Sequence, residues 1–209
     1  MGTMLKNFDL FIFDWDGTLS TSTALVRFTS LFKRRYDPEY IKRHEQLYRN
    51  VSMEDVRITE EEHNIFSSIY GLYSMFTKPR LRDSAIPLMS YLKKKRKKVA
   101  IFSDGKFYRL LAETRSLGAL KYTDFMLTAS VIKRYKPDPT GLLLISDKLG
   151  VSRKRCIYFG DMASDIMAAK FAGMHSAGIR GGLHDIMKLK AAEPEYMFNN
   201  LHEVLAKLK

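Results

Sequence analysis

Asp14 and Asp16 stand one residue apart in Phe13-Asp14-Trp15-Asp16-Gly17-Thr18, directly after the apolar run Leu10-Phe11-Ile12-Phe13. Two carboxylates so close repel unless positive charge or a shared proton lies between them, so the pair implies a divalent cation or a carboxyl that keeps its proton. The plainer reading is a strand that ends in an Asp-Gly turn. Three signals downstream weigh against that reading. Ser103 ends the run Val99-Ala100-Ile101-Phe102 and precedes Asp104-Gly105-Lys106, where a hydroxyl and the backbone N–H groups of a helix start could hold an anion. Lys136 precedes Pro137 in a loop, where by itself it reads as an ordinary surface lysine. Asp161 and Asp165 follow Cys156-Ile157-Tyr158-Phe159-Gly160; four residues apart, they share one face of a helix that begins at once. There they complement its positive end, or one of them is simply a cap.

The elements that must position these groups alternate along the chain. Short apolar runs read as buried parallel strands near Phe8–Phe13, Val99–Ser103, Asp124–Thr128, Cys156–Phe159, Met174–Ile179 and Tyr196–Phe198, and ligands of open α/β sheets collect beyond the carboxyl ends of such strands. Helical periodicity and stop signals predict helices over Ser84–Lys95, Phe107–Leu117 before Gly118, Thr140–Leu149 before Gly150, a stretch after Asp161, and a final one from Leu201. The pattern is an α/β core. It is interrupted after the first strand by three helical segments, near Ala24–Phe32, Pro38–Tyr48 and Glu60–Phe76. The expected organisation is a core of residues 1–19 and 83–209 with a small all-helical insert over 20–82, placed where a lid can cover a crevice. The basic run Lys93–Lys98 reads as the solvated end of a helix, and Met1 to Lys6 as an unstructured lead-in.

Composition sets outer bounds. In 209 residues, 45% are hydrophobic and 28% charged, the balance of a folded globular protein. Cys156 is the only cysteine, so no intramolecular disulfide forms; its apolar neighbours mark an inert core thiol. No apolar run nears the roughly 18 residues that span a bilayer, and the expected location is cytoplasmic. The net charge of +12 is dispersed, with no basic-aromatic signature of RNA binding. It suits attraction of anionic metabolites as well as any basic proteome, and nucleic acid is not an expected partner.

Taken together, the four groups in this order resemble the haloacid dehalogenase-like hydrolase superfamily, and within it the phosphoglycolate phosphatase-like group with a helical cap between the first two motifs. Asp14-Trp15-Asp16-Gly17-Thr18-Leu19 is similar to the first motif, Ser103 to the second, Lys136-Pro137 to the third, and Gly160-Asp161 through Asp165 to the fourth. The resemblance implies a Rossmann-like parallel sheet with helices on both faces plus the cap. It also implies that Asp14 attacks phosphorus to form an aspartyl-phosphate, while Asp16 protonates the leaving oxygen and later activates water. Mg²⁺ would be held by Asp14, the backbone carbonyl of Asp16, Asp161 and Asp165; Ser103, Lys136 and Thr18 would bind phosphoryl oxygens, Thr18 from a place beside Asp16. Three departures from the pattern stand out: Asp104 where relatives carry Asn, Arg96 where a turn Gly is common, and Thr21 where an Asp is frequent.

The function expected is a Mg²⁺-dependent phosphatase, monomeric or homodimeric, acting on a small phosphorylated metabolite and on no membrane component. A phosphomutase of the same fold is the enzymatic alternative. A non-catalytic regulatory or nucleic-acid-binding protein is the other, and the intact acids argue against it.

Overall fold

Leu10, Phe11, Ile12 and Phe13 alternate their side chains between two apolar environments, and every one is fully buried. A strand whose both sides are greasy must be covered on both faces, which dictates a layered α/β architecture. The computed structural model describes residues 5–21, 80–182 and 186–209. In it, six parallel strands form one sheet in the order β5-β4-β1-β6-β7-β8, where β1 is Leu10–Phe13, β4 Lys98–Ser103, β5 Phe125–Thr128, β6 Cys156–Gly160, β7 His175–Ile179 and β8 Tyr196–Phe198. The chain winds outward from β1 in one direction through β4 and β5, then returns to its other side through β6, β7 and β8. That is a doubly wound sheet, and the reversal at β1 opens a crevice beyond the strand ends.

One face carries Phe11, Phe13, Val99, Ile101, Ile157 and Phe159 under the helices Ala85–Lys94 and Leu201–Leu208. The other carries Leu10, Ile12, Ala100, Phe102, Cys156 and Tyr158 under Thr140–Leu149 and Ala163–Phe171. The parallel register Phe13↔Ile101 and Phe13↔Phe159 brings the ends of β4 and β6 level with that of β1. Asp14, Ser103 and Asp161 therefore emerge along one edge.

Several boundaries differ from the sequence expectation. The first strand begins at Leu10, because Phe8 leaves the ladder to pack against Phe11, His175 and Tyr196. Leu5 is buried in the core rather than part of a loose lead-in, and Lys6 accepts from Lys97 through its carbonyl at 2.9 Å. Short helices at Ala129–Ile132 and Ile186–Ala191 lacked enough turns to show a period. Cys156 is buried as expected, and its thiol is pushed up to about 12 by that burial.

The basic run does not stay on one helix end. Lys93 pairs with Asp124 at 2.5 Å, Arg96 adopts a left-handed conformation (φ 58°), Lys97 pairs with Asp9 at 3.2 Å, and Lys98 starts β4. These residues sit at the amino ends of the strands, the far edge from Asp14.

The chain divides into two compact units, residues 1–23 with 78–209, and residues 24–77. The three helices expected within 24–76 lie outside the described residues. At the foot of the insertion, Ser20–Thr21 (β2) pairs antiparallel with Arg80–Leu81 (β3), so the chain leaves and re-enters the core side by side. The Thr21 hydroxyl donates across this ribbon to the Arg80 carbonyl at 3.3 Å.

Candidate active site

The loop after β1 is built to turn sharply beneath the strand ends. Asp14 N donates to the Phe159 carbonyl at 2.8 Å, which carries the β1–β6 pairing one residue past the strand, and Leu19 N and Ser20 N both return to the Trp15 carbonyl. Gly17 sits at φ 87°, where a side chain is strained. A Cβ there, or at Gly182, would also stand 2.4 or 2.2 Å from Asp161 Oδ2. Glycine at both places lets the backbone close around that carboxylate. Arg82 pins the same loop from the returning chain, donating to the carbonyls of Gly17 at 2.6 Å and Arg180 at 2.7 Å.

Lys136 lies at the centre. Its Nζ donates to Asp14 Oδ1 at 2.8 Å and Asp165 Oδ1 at 2.7 Å, and to the Tyr158 hydroxyl at 3.2 Å. Its side chain, like those of Asp14 and Asp165, is almost entirely buried. Tyr158 Oη lies 3.1 Å from Asp165 Oδ1 and 3.3 Å from the Phe102 carbonyl, flooring the site from β6. The surface lysine suggested by Lys136 alone is thus a buried ammonium. Burial by itself would lower its pKa, but Asp14, Asp165, Tyr158 and Asp104 together hold it well above the ordinary lysine value.

Asp161 stands two residues before the helix Ala163–Phe171, and Asp165 is the third residue in it. Asp165 Oδ2 accepts from Met162 N at 2.9 Å, so this residue serves both readings: one oxygen caps the helix and the other faces Lys136. Oxygens of Asp14, Asp161 and Asp165 all come within 4.8 Å of one another. Burial pushes the Asp14 carboxyl well above the ordinary carboxylate range, against the pull of Lys136 and helped by repulsion from Asp165, Asp161 and Asp16. Three buried acids converge there, two of them bonded to the Lys136 ammonium, and together they offer an all-oxygen donor set. That donor set fits a hard divalent cation, a class that includes Mg²⁺.

The other expected residues are placed as follows. Thr18, expected to bind phosphate beside Asp16, donates its hydroxyl to Asp161 Oδ1 at 3.0 Å. Ser103 is buried, and its Oγ accepts from Gly105 N at 3.0 Å, a tight turn in which the hydroxyl stays at the tip of β4. The Asp16 carboxylate lies outside the three-acid cluster and meets Arg109 in a double hydrogen bond, at 3.0 and 2.5 Å. Asp104 Oδ1 accepts from the backbone N of Lys136 at 3.2 Å, tying the second motif to the third. Its carboxyl is pushed up to about 6 by burial, with Lys136 pulling it down.

Arg109, Glu113, Tyr158 and Arg82 were missed from the sequence. Arg109 and Glu113 share one helix face at i, i+4 spacing on Phe107–Ser116, a signal common to thousands of solvated pairs. Tyr158 reads as one more core aromatic. Only the fold aims them at the site.

The crevice carries acids at the tips of β1 and β6 with a buried lysine between them, and residues 8–173 match the sequence model of the haloacid dehalogenase-like hydrolases. The chain belongs to that family. It is 30% identical over 158 residues to a phosphorylated carbohydrates phosphatase of Thermotoga maritima, a match covering 71% of this chain and 68% of that protein. It is also 30% identical over 93 residues to a phosphoglycolate phosphatase of Salmonella paratyphi A, which covers 44% of this chain and 37% of the relative. Among solved structures, a haloacid dehalogenase-like hydrolase from Bacteroides fragilis superposes with a TM-score of 0.72 at 23% identity, over 94% of this chain and 99% of the other. Among the described residues, no helix is long and apolar enough to cross a membrane.

Proposed function

We propose that the protein is a Mg²⁺-dependent phosphatase that hydrolyses a small phosphate monoester through an aspartyl-phosphate on Asp14. The observation that carries the reading is the convergence of Asp14, Asp161 and Asp165 within 4.8 Å of one another, with the Lys136 ammonium bonded to Asp14 and Asp165. Membership of a hydrolase family and the phosphatases among the relatives support the reaction class.

Asp14 offers its carboxylate to phosphorus from the tip of β1, dividing hydrolysis into two displacements. Lys136, paired with that carboxylate, offsets its repulsion from an arriving phosphate and stabilises charge on the phosphoryl oxygens. The Ser103 hydroxyl and the N–H groups of the turn after it receive another of those oxygens. Asp16 gives a proton to the leaving oxygen and takes one from the attacking water. Asp14, Asp161 and Asp165 would hold Mg²⁺, which supplies charge neutralisation for the transferring phosphoryl group; Thr18 fixes Asp161 for that task. Residues 20–82 would form the cap that limits substrate size, supported by the ribbon that starts and ends the insertion within a few residues of Asp16.

The test is phosphate release from a panel of phosphorylated metabolites with Mg²⁺, by the wild type and by Asp14→Asn. Turnover by the wild type and none by the variant is expected. Near-normal release by Asp14→Asn refutes the covalent route, and isomer formation without phosphate release indicates a mutase.

A further inference from the structure

Asp16 does not hang free beside the three-acid cluster. Arg109 receives its carboxylate fork to fork, NH1 to Oδ1 at 3.0 Å and NH2 to Oδ2 at 2.5 Å. One helical turn later Glu113 accepts from Arg109 NH1 at 3.3 and 3.4 Å, and from the indole N–H of Trp15 at 2.6 Å. Trp15 is fully buried and lies between Asp14 and Asp16 in the chain. The relay Trp15, Glu113, Arg109, Asp16 therefore starts and ends on adjacent residues, a closed clamp around the loop after β1. The side chains of Arg109, Glu113 and Asp16 keep only 12, 11 and 15% of their exposure, unlike the mobile ion pairs of a protein surface. The turn before the helix leaves room for it: a Cβ at Gly105 would stand 2.4 Å from Arg109 NH2.

We propose that Arg109 is a positioning residue that fixes the plane and rotation of the Asp16 carboxylate for proton transfer, with Glu113 and Trp15 bracing it from behind; this rests on the reading of Asp16 as the acid–base group. Two parallel N–H···O bonds restrain a carboxylate in both tilt and rotation, which a lysine at the same place cannot do. A general acid displaced by about 1 Å loses rate while substrate affinity is retained. Asp14, Lys136 and Asp165 have their own mutual contacts and are not held by this relay. Its loss should therefore affect the proton-transfer steps and leave the nucleophile in place.

The test is a double-mutant cycle on the full chain with Mg²⁺, using glycerol phosphate, whose alkoxide needs a proton, and p-nitrophenyl phosphate, whose phenolate does not. Arg109→Ala should lower kcat for glycerol phosphate by about 10- to 100-fold, change KM by less than about threefold, and affect p-nitrophenyl phosphate far less. Arg109→Lys should recover little of the loss. In an Asp16→Asn background, Arg109→Ala should have no further effect. Glu113→Gln leaves Asp16 and Arg109 both present and should give a smaller loss with the same substrate split, which covers the case in which Arg109→Ala fails to fold. A multiplicative loss in the Asp16→Asn background, or an equal rise of KM for both substrates, overturns the proposal by making Arg109 a direct substrate contact. Full activity of Asp16→Asn on glycerol phosphate instead overturns the acid–base reading itself.

Discussion

Asp104→Asn should stabilise the protein, and only above mildly acidic pH. The Asp104 carboxyl is pushed from the ordinary 3.8 up to about 6, because burial disfavours its charge more than Lys136 restores it. Between those two values the folded state holds a proton that the unfolded chain has released. Stability therefore falls as pH rises from about 4 to about 6, and the whole loss is present at pH 7. A shift of about 2.2 pH units at about 1.36 kcal/mol each gives about 3 kcal/mol. This is an upper limit, since part of the side chain reaches solvent. Asparagine keeps the carbonyl oxygen that accepts from Lys136 N at 3.2 Å and removes only the charge. The variant should match the wild type near pH 4 and exceed it by up to about 3 kcal/mol at pH 7, a gain of about 6–12 °C in Tm for a chain of this size.

Urea unfolding of both proteins from pH 4 to 8, with chelator present, reads in the difference curve the charge of Asp104 together with its coupling to Lys136, Asp165 and Asp16. A difference that stays flat across the range, or a variant less stable at pH 7, refutes the assignment of a buried, penalised charge to Asp104.

Other perturbations read other parts of the site. Lys136→Met strips the shared ammonium from Asp14 and Asp165 and should cost about 3–5 kcal/mol in chelator, as removal of one partner from a buried ion pair does; a loss under about 1 kcal/mol in denaturant titration contradicts the buried network. Activity should vanish in excess chelator and return with Mg²⁺, while Ca²⁺, larger and tolerant of higher coordination, should inhibit; full turnover in chelator disproves the metal. Arg96→Gly should stabilise by about 1 kcal/mol, since only glycine adopts φ 58° without strain, and an unchanged urea midpoint argues against that strain.

Much of the architecture was legible in the chain because its signals are local. Runs such as Phe11-Ile12-Phe13 and Ile157-Tyr158-Phe159 specify strands buried on both faces, and Gly118 and Gly150 close their helices in left-handed turns, at φ 74° and 63°. The acids at the strand tips were visible for the same reason: a polar residue ending an apolar run lies at the end of its strand wherever that strand is placed. Asp14, Asp16, Ser103 and Asp161 could thus be placed at or just past strand ends from sequence order alone, whereas Lys136 stood out only through its resemblance to a family motif.

What each carboxylate faces depends on which strands are neighbours, and only the tertiary structure decides that. The order β5-β4-β1-β6-β7-β8 sets β6 against β1, so Asp165 and Asp14 share one lysine although 151 positions in the chain separate them. Thr18 turns to Asp161 rather than toward Asp16 because the loop closes through Gly17. Asp16 points to Arg109 because the helix after β4 packs beside the loop after β1. Local preference is encoded in a few adjacent residues and can be read one stretch at a time. The partners of Asp14 and Asp16 are chosen by long-range packing, and no short window along the chain contains both Asp14 and Lys136 or both Asp16 and Arg109.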